Sequence, residues 1–87
     1  MEVLRTAILD WIWRKKGKPF SPLEVVQQMY PQSWESFIPE ILEEMMQMYR
    51  ENLVLVVYEG RVVENEYLPS GNEEILPVSK PASKKKG

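Results

Sequence analysis

Eighty-seven residues, 44% of them apolar and including three Trp, four Tyr and two Phe, suffice for one small core but not for two. Cysteine and histidine are both absent. Their absence excludes a disulfide framework, a zinc-thiolate site, a thiol nucleophile, and the commonest general base and metal ligand. The formal charge of −2 conceals an asymmetry: Lys80, Lys84, Lys85 and Lys86 lie at the end, so residues 1–78 hold seven cations against all 13 acids, a net of −6. An acidic body of this kind does not draw nucleic acid over its whole surface.

No apolar run approaches the roughly 18 residues of a membrane span, and the N-terminus lacks a charged region followed by a signal core. A soluble, cytoplasmic protein is therefore expected.

Residues 2–15 read as a first helix. Leu4, Ile8, Trp11 and Ile12 recur at helical spacing on one face, with Ala7 beside them. Leu9 and Trp13 form an i, i+4 pair nearly opposite. A sheet or the C-terminal segment is expected to cover that second stripe; the alternative is an exposed patch that binds a partner. Arg14, Lys15 and Lys16 suit the last turn, where cations favour the helix dipole, and Gly17 is a natural stop.

Lys18-Pro19-Phe20 reads as an extended connector, because the residue before proline is driven out of the helical region. Ser21-Pro22-Leu23-Glu24 follows with the pattern of a capping box: Ser21 as cap, Pro22 at the first helical position and Glu24 three residues after the cap. This second helix shows Leu23, Val26, Met29 and Tyr30 on one side and stops at Pro31. A turn through Gln32 and Ser33 leads into the longest helical pattern, Trp34 to Asn52. Proline in its interior would cost about 3 kcal/mol, so a short turn over Trp34–Ile38 should place Pro39 near the first position of the main helix. Its apolar side collects Ile41, Leu42, Met45, Met48 and Tyr49, with Trp34, Phe37 and Ile38 leading in. Trp34, Ile41, Met45 and Tyr49 are expected to contribute most to the core. The opposite arc holds Glu40, Glu43, Glu44, Gln47, Arg50 and Glu51, a net of −3, and Met46 and Leu42 fall near the polar edge.

Leu53–Tyr58 is β-branched and aromatic, Glu59-Gly60 is a two-residue hairpin loop, and Arg61–Asn65 is the returning strand. Ile75-Leu76-Pro77-Val78 can add a short extended segment. Residues 79–87 carry almost no apolar side chains and read as a flexible, lysine-rich tail. Helix, short strand, helix, turn, helix, hairpin is the order of a winged helix: an α+β domain over residues 2–78, with a three-helix core containing a helix-turn-helix and an antiparallel hairpin as the wing. Phe20 is expected in the short strand that joins the hairpin as a third strand.

The residues Phe20-Ser21-Pro22-x-Glu24-Val25, then Trp34, Pro39 and a hairpin ending Gly60-Arg61-Val62-Val63, resemble a family of small proteins catalogued as domain of unknown function 3253. The resemblance spans about residues 4–76. It implies a winged helix and a bacterial setting, with no assigned activity. Where proteins of this pattern often carry arginine shortly after the helix proline, this chain has Leu42 and Glu43.

Catalysis finds little support. Nothing activates a serine, four scattered glycines make no phosphate-cradling loop, and no cofactor is implied. Glu40, Glu43 and Glu44 read as a solvated face, and the pairs Glu64/Glu66 and Glu73/Glu74 as surface charge. Two binding readings remain. In a helix-turn-helix the second helix enters the major groove, yet phosphate contacts need cations. Weak, salt-sensitive nucleic-acid binding would have to run through Arg14, Lys15, Lys16 and Lys18, through Arg61 on the wing, and through Lys84, Lys85 and Lys86. The other reading is a protein-interaction module that offers Glu40, Glu43, Glu44, Gln47 and Met46, or Trp13, to a basic or apolar partner. Self-association through Trp13 or Met46 belongs to this second class.

Overall fold

The computed structural model describes residues 2–78. Helices α1 (Glu2–Lys15), α2 (Pro22–Met29) and α3 (Ile38–Arg50) are followed by strands β1 (Val54–Tyr58), β2 (Arg61–Val62) and β3 (Glu74–Pro77), with a 3-10 turn over Trp34–Phe37 leading into α3. Three helices plus a small antiparallel sheet make an α+β fold compatible with a winged-helix arrangement. No helix among the described residues is long and apolar enough to cross a membrane. The tail at 79–87, with Lys84, Lys85 and Lys86, lies outside the described residues.

Local chemistry sets each boundary. Ser21 caps α2, its hydroxyl accepting from the Leu23 N–H at 3.1 Å, and Pro22 takes the first turn, where its missing N–H costs nothing. Pro39 likewise falls in the first turn of α3. At the other end of α3, Asn52 adopts the left-handed conformation (φ 65°), and the N–H groups of Asn52 and Leu53 return to the carbonyls of Tyr49 and Met48. That is a Schellman stop, one of the few places where asparagine substitutes well for glycine. The β1–β2 loop has positive φ at both Glu59 (51°) and Gly60 (82°), the twist that a two-residue hairpin requires.

The core is drawn from every layer: Leu4 and Ile8 of α1, Val25 and Val26 of α2, Ile41, Met45 and Met48 of α3, Val54 and Val56 of β1, and Ile75 of β3 are all fully buried. In β1, Val54 and Val56 point inward while Leu55 and Val57 are less covered, as period-2 geometry demands. Trp34 and Tyr49 pack against the core from its margin and are only partly buried.

Two expectations about the sheet need correction. The strand order is β2-β1-β3, so the third strand is the C-terminal segment Glu74–Pro77. Phe20 makes only a single bridge on the far side of β3, exchanging hydrogen bonds with Ile75. Pro19 and Pro22 deny this connector the amide donors of a longer ladder, and Ser21 is committed to capping. The returning strand is also shorter than its sequence suggests: β2 ends at Val62, although the Val63 N–H still reaches the Val56 carbonyl.

Candidate interaction surface

The exposed arc of α3 is organised by a residue on another helix. Arg5 projects from α1, its Nε donating to Glu44 Oε2 at 2.7 Å and its two terminal nitrogens donating to the two carboxylate oxygens of Glu51 at 2.8 and 3.1 Å. Gln47 completes the cluster through Nε2 to Glu51 Oε2 at 3.0 Å. A planar guanidinium suits such forked pairing. Burial pushes the Glu44 carboxyl up, but hydrogen bonding, that of Arg5 included, holds it below its ordinary value. Hydrogen bonds from Arg5 and then Gln47 bring Glu51 down to about 2, while the Glu51 and Glu44 carboxylates raise Arg5.

Two members of the expected surface are therefore internal. Glu44 is 7% exposed and Met46 only 2%, so neither stands on an open face. Met46 lies with Leu42 in the core cluster, on the side of α3 that faces the loop after β2. Glu40, Glu43 and Gln47 remain exposed. Arg50, the one cation of the arc, donates from Nε to the Asn65 carbonyl at 3.1 Å and so ties α3 to the wing.

Hollows lie on both sides of this ridge. One, of about 400 Å³, runs between α1 and α3 and is lined by Glu2, Arg5, Glu40, Glu43, Glu44 and Gln47. The other, of about 450 Å³, lies between α3 and the loop after β2, where Pro39, Leu42 and Met46 face Tyr67, Leu68 and Pro69. Glu43 borders both. Leu68, at the rim of the second, is 87% exposed.

That loop is held by a residue whose sequence suggested plain surface charge. Glu73 is 1% exposed. Its carboxylate accepts from the Tyr67 hydroxyl (2.6 Å), the Ser70 N–H (2.8 Å) and hydroxyl (3.3 Å), and the Gly71 N–H (2.9 Å). Gly71 sits at φ 111°, a backbone conformation that L side chains rarely adopt, so the turn favours glycine there. Desolvation raises Glu73, yet the Tyr67 hydroxyl and the Ser70 and Gly71 amides bring its pKa below the ordinary carboxyl value. Tyr67 is pushed up to about 12 by desolvation and by its bond to that carboxylate.

The cations proposed for nucleic acid are not gathered. Arg14 pairs with Asp10 at 2.7 Å, and Lys15 lies over the Trp11 ring at 5.6 Å. Lys16, Lys18 and Arg61 are exposed. Lys18 precedes Phe20, which is level with Ile75 and Val56, whereas Arg61 is level with Tyr58 at the hairpin tip, on the other edge. Three interstrand steps and about four residues of rise place Lys18 and Arg61 at opposite corners, on the order of 20 Å apart. Trp13 is 81% exposed and Leu9 43%, so the described residues leave uncovered the stripe expected to lie under a sheet or the C-terminal segment, whose residues 79–87 lie outside those described.

The sequence reading missed Arg5 and Glu73. Arg5 had a signal: it is the only cation in the first three turns of α1, in a chain whose third helix is acidic. Glu73 had almost none, since two of its donors are backbone amides and the other two are hydroxyls of the preceding loop. Replacing Arg5 with alanine should return the Glu51 titration midpoint from about 2 toward 4.5 and move Glu44 upward as well. Side-chain carboxyl resonances followed through an acid titration check this; an unmoved Glu51 would mean that the fork does not form in solution.

Among the described residues no group of three or more acidic side chains is placed to hold a metal ion. No curated protein and no solved structure matches the chain. A family model does match it, over residues 1–72, and with the capped α2, the Pro39 entry into α3 and the Gly60 hairpin all in place, the chain belongs to the family described as protein of unknown function (DUF3253).

Proposed function

We propose that this chain is a non-enzymatic interaction module that uses the exposed ridge of α3 to bind a protein segment carrying cations. The observation that carries this reading is the division of charge on that ridge. Glu44 and Glu51 are engaged by Arg5, and Arg50 by the wing backbone, whereas Glu40 and Glu43 enter no ion pair among the described residues. Rim charges of this kind select partners and steer encounter. The hollow bordered by Glu43, Leu42, Leu68 and Pro69 offers an adjoining seat for one apolar side chain of the same segment. A bacterial, cytoplasmic setting belongs to this proposal and rests on the family resemblance.

The competing reading is a weak nucleic-acid-binding accessory acting through Arg14, Lys15, Lys16, Lys18, Arg61 and Lys84–Lys86. Phosphate contacts made by scattered cations, beside an acidic helix, give binding that is feeble and steeply salt-dependent. One experiment weighs the two: isotopically labelled protein is titrated at low salt with a short lysine-rich amphipathic peptide and, separately, with generic duplex DNA. The proposal expects peptide-induced shifts at Glu40, Glu43, Gln47 and Leu68 that weaken severalfold in Glu40→Lys/Glu43→Lys. Shifts produced only by DNA, and confined to Arg14–Lys18, Arg61 and the tail, would transfer the function to nucleic acid.

A further inference from the structure

The outer face of α1 has the form of a helix-pairing seam. Glu2, Thr6, Leu9 and Trp13 succeed one another at steps of four, three and four, and all are exposed; Lys16, also exposed, follows just past the helix end in a left-handed conformation (φ 54°). That alternation keeps one narrow stripe facing a partner helix along its full length. The stripe lies opposite Leu4 and Ile8, the two α1 residues that are fully buried. Val3, 48% exposed, widens it on one side. Helix α1 is thus apolar on two faces, of which the described residues cover one.

We propose that a second copy of this chain covers this face, the two α1 helices running antiparallel about a two-fold axis at Leu9. The sequence of the seam is complementary to itself only in that direction. Leu9 then meets Leu9 of the second copy. Trp13 of each copy comes down beside the small Thr6 of the other, so large lies on small at both ends. Glu2 lies level with the end of the second copy's helix, where Lys16 follows the last turn. The two helix dipoles also oppose favourably. A parallel pairing would stack Trp13 on Trp13, Glu2 on Glu2 and Lys16 on Lys16. An isologous contact of this type is the commonest way in which identical chains assemble.

Its size sets its strength. An exposed Trp13 with Leu9 and Val3 presents on the order of 300 Å² of apolar surface per copy, counting about 200 Å² for a large aromatic. Paired, that falls below the roughly 1,200–2,000 Å² of a standard stable interface, so the dimer is weak and exchanges rapidly. Trp13, as a rigid aromatic near the middle of each half, carries most of it.

Sedimentation equilibrium of the full chain from about 10 μM to about 1 mM spans the affinities that so small an interface supports. The apparent mass should climb from one copy toward two. Trp13→Ala should weaken association by about tenfold or more without altering the far-ultraviolet circular dichroism. Glu2→Lys and Lys16→Glu should each weaken it severalfold, and the double variant should recover it, because the swapped charges again face each other. A wild-type chain that stays monomeric at the highest concentration, or association undiminished in Trp13→Ala, would overturn the proposal. Failure of the double charge swap to recover what each single swap loses would overturn the antiparallel seam.

Discussion

Replacing Glu73 with alanine should lower the unfolding free energy by about 3 kcal/mol, because three donors lose their acceptor inside a dry turn and each unsatisfied group costs roughly 1–3 kcal/mol, less whatever water repays. These three are the Tyr67 hydroxyl and the amides of Ser70 and Gly71, which converge, with a longer contact from the Ser70 hydroxyl, on one carboxylate that is 1% exposed. Urea unfolding followed by tryptophan fluorescence reads the loss as a lower midpoint at unchanged slope. Glu73→Gln should cost less, since its amide oxygen still accepts from one backbone amide while its NH₂ meets another donor. A loss below about 0.5 kcal/mol, the range of an ordinary surface site, would mean that the turn is solvated and the network absent.

The same carboxylate dictates how stability follows pH. The pKa of Glu73 is lower in the folded chain than its ordinary 4.5, so within the interval between the two values the unfolded chain binds more protons and stability rises with pH. Its contribution is complete above about 4.5 and is lost as pH falls through the folded value. Glu44 and Glu51 add the same sign, and Glu51, held at about 2, extends the acid limb furthest. Tyr67 has the opposite relation: its contribution is present below its ordinary value of 10 and is lost as pH rises through about 12. A plateau from about pH 5 to 10 is expected, with the acid limb shallower in Glu73→Ala than in the wild type.

The elements that sequence revealed well are those whose causes are local. The cap at Ser21, the stop at Gly17, the entry at Pro39 and the positive-φ loop at Gly60 each depend on one or two side chains and their own backbone, and each lies where the pattern placed it. Apolar spacing likewise identified Leu4, Ile8, Ile41 and Met45 as core. What was hidden depends on contacts distant in the chain. Arg5 and Glu44 are 39 positions apart, so the acidic arc looked more negative and more exposed than it is. Met46 sat at the edge of its helical wheel, and only the loop after β2 decides that it is covered. The third strand was misassigned because Phe20 and Ile75 both read as short extended segments. Pairing with Val54–Val57 went to the four-residue β3 rather than to a residue hemmed in by two prolines.

Helix α1 offers the sharpest contrast between a residue that holds the monomer together and one that does not. Ile8→Ala should cost about 3 kcal/mol: the side chain is fully buried among helices and sheet, and truncating a buried isoleucine removes both transfer energy and packing, typically 2–5 kcal/mol, with the larger losses where the site cannot collapse. The core it belongs to draws equally buried residues from all three helices, β1 and β3, which limits collapse. Trp13→Ala, five positions on and 81% exposed, should leave the stability of the dilute monomer within about 0.5 kcal/mol. Urea unfolding at micromolar concentration, read by circular dichroism because the second variant loses one of the three tryptophans, measures both. If Trp13→Ala destabilised the dilute chain as much as Ile8→Ala does, the outer face of α1 would be part of the monomer's own core, and its exposed tryptophan would need no partner. The expected pattern is the reverse: Ile8 governs the midpoint at every concentration, whereas Trp13 affects it only as the chain is concentrated, since a partner that binds the folded state alone raises stability by mass action.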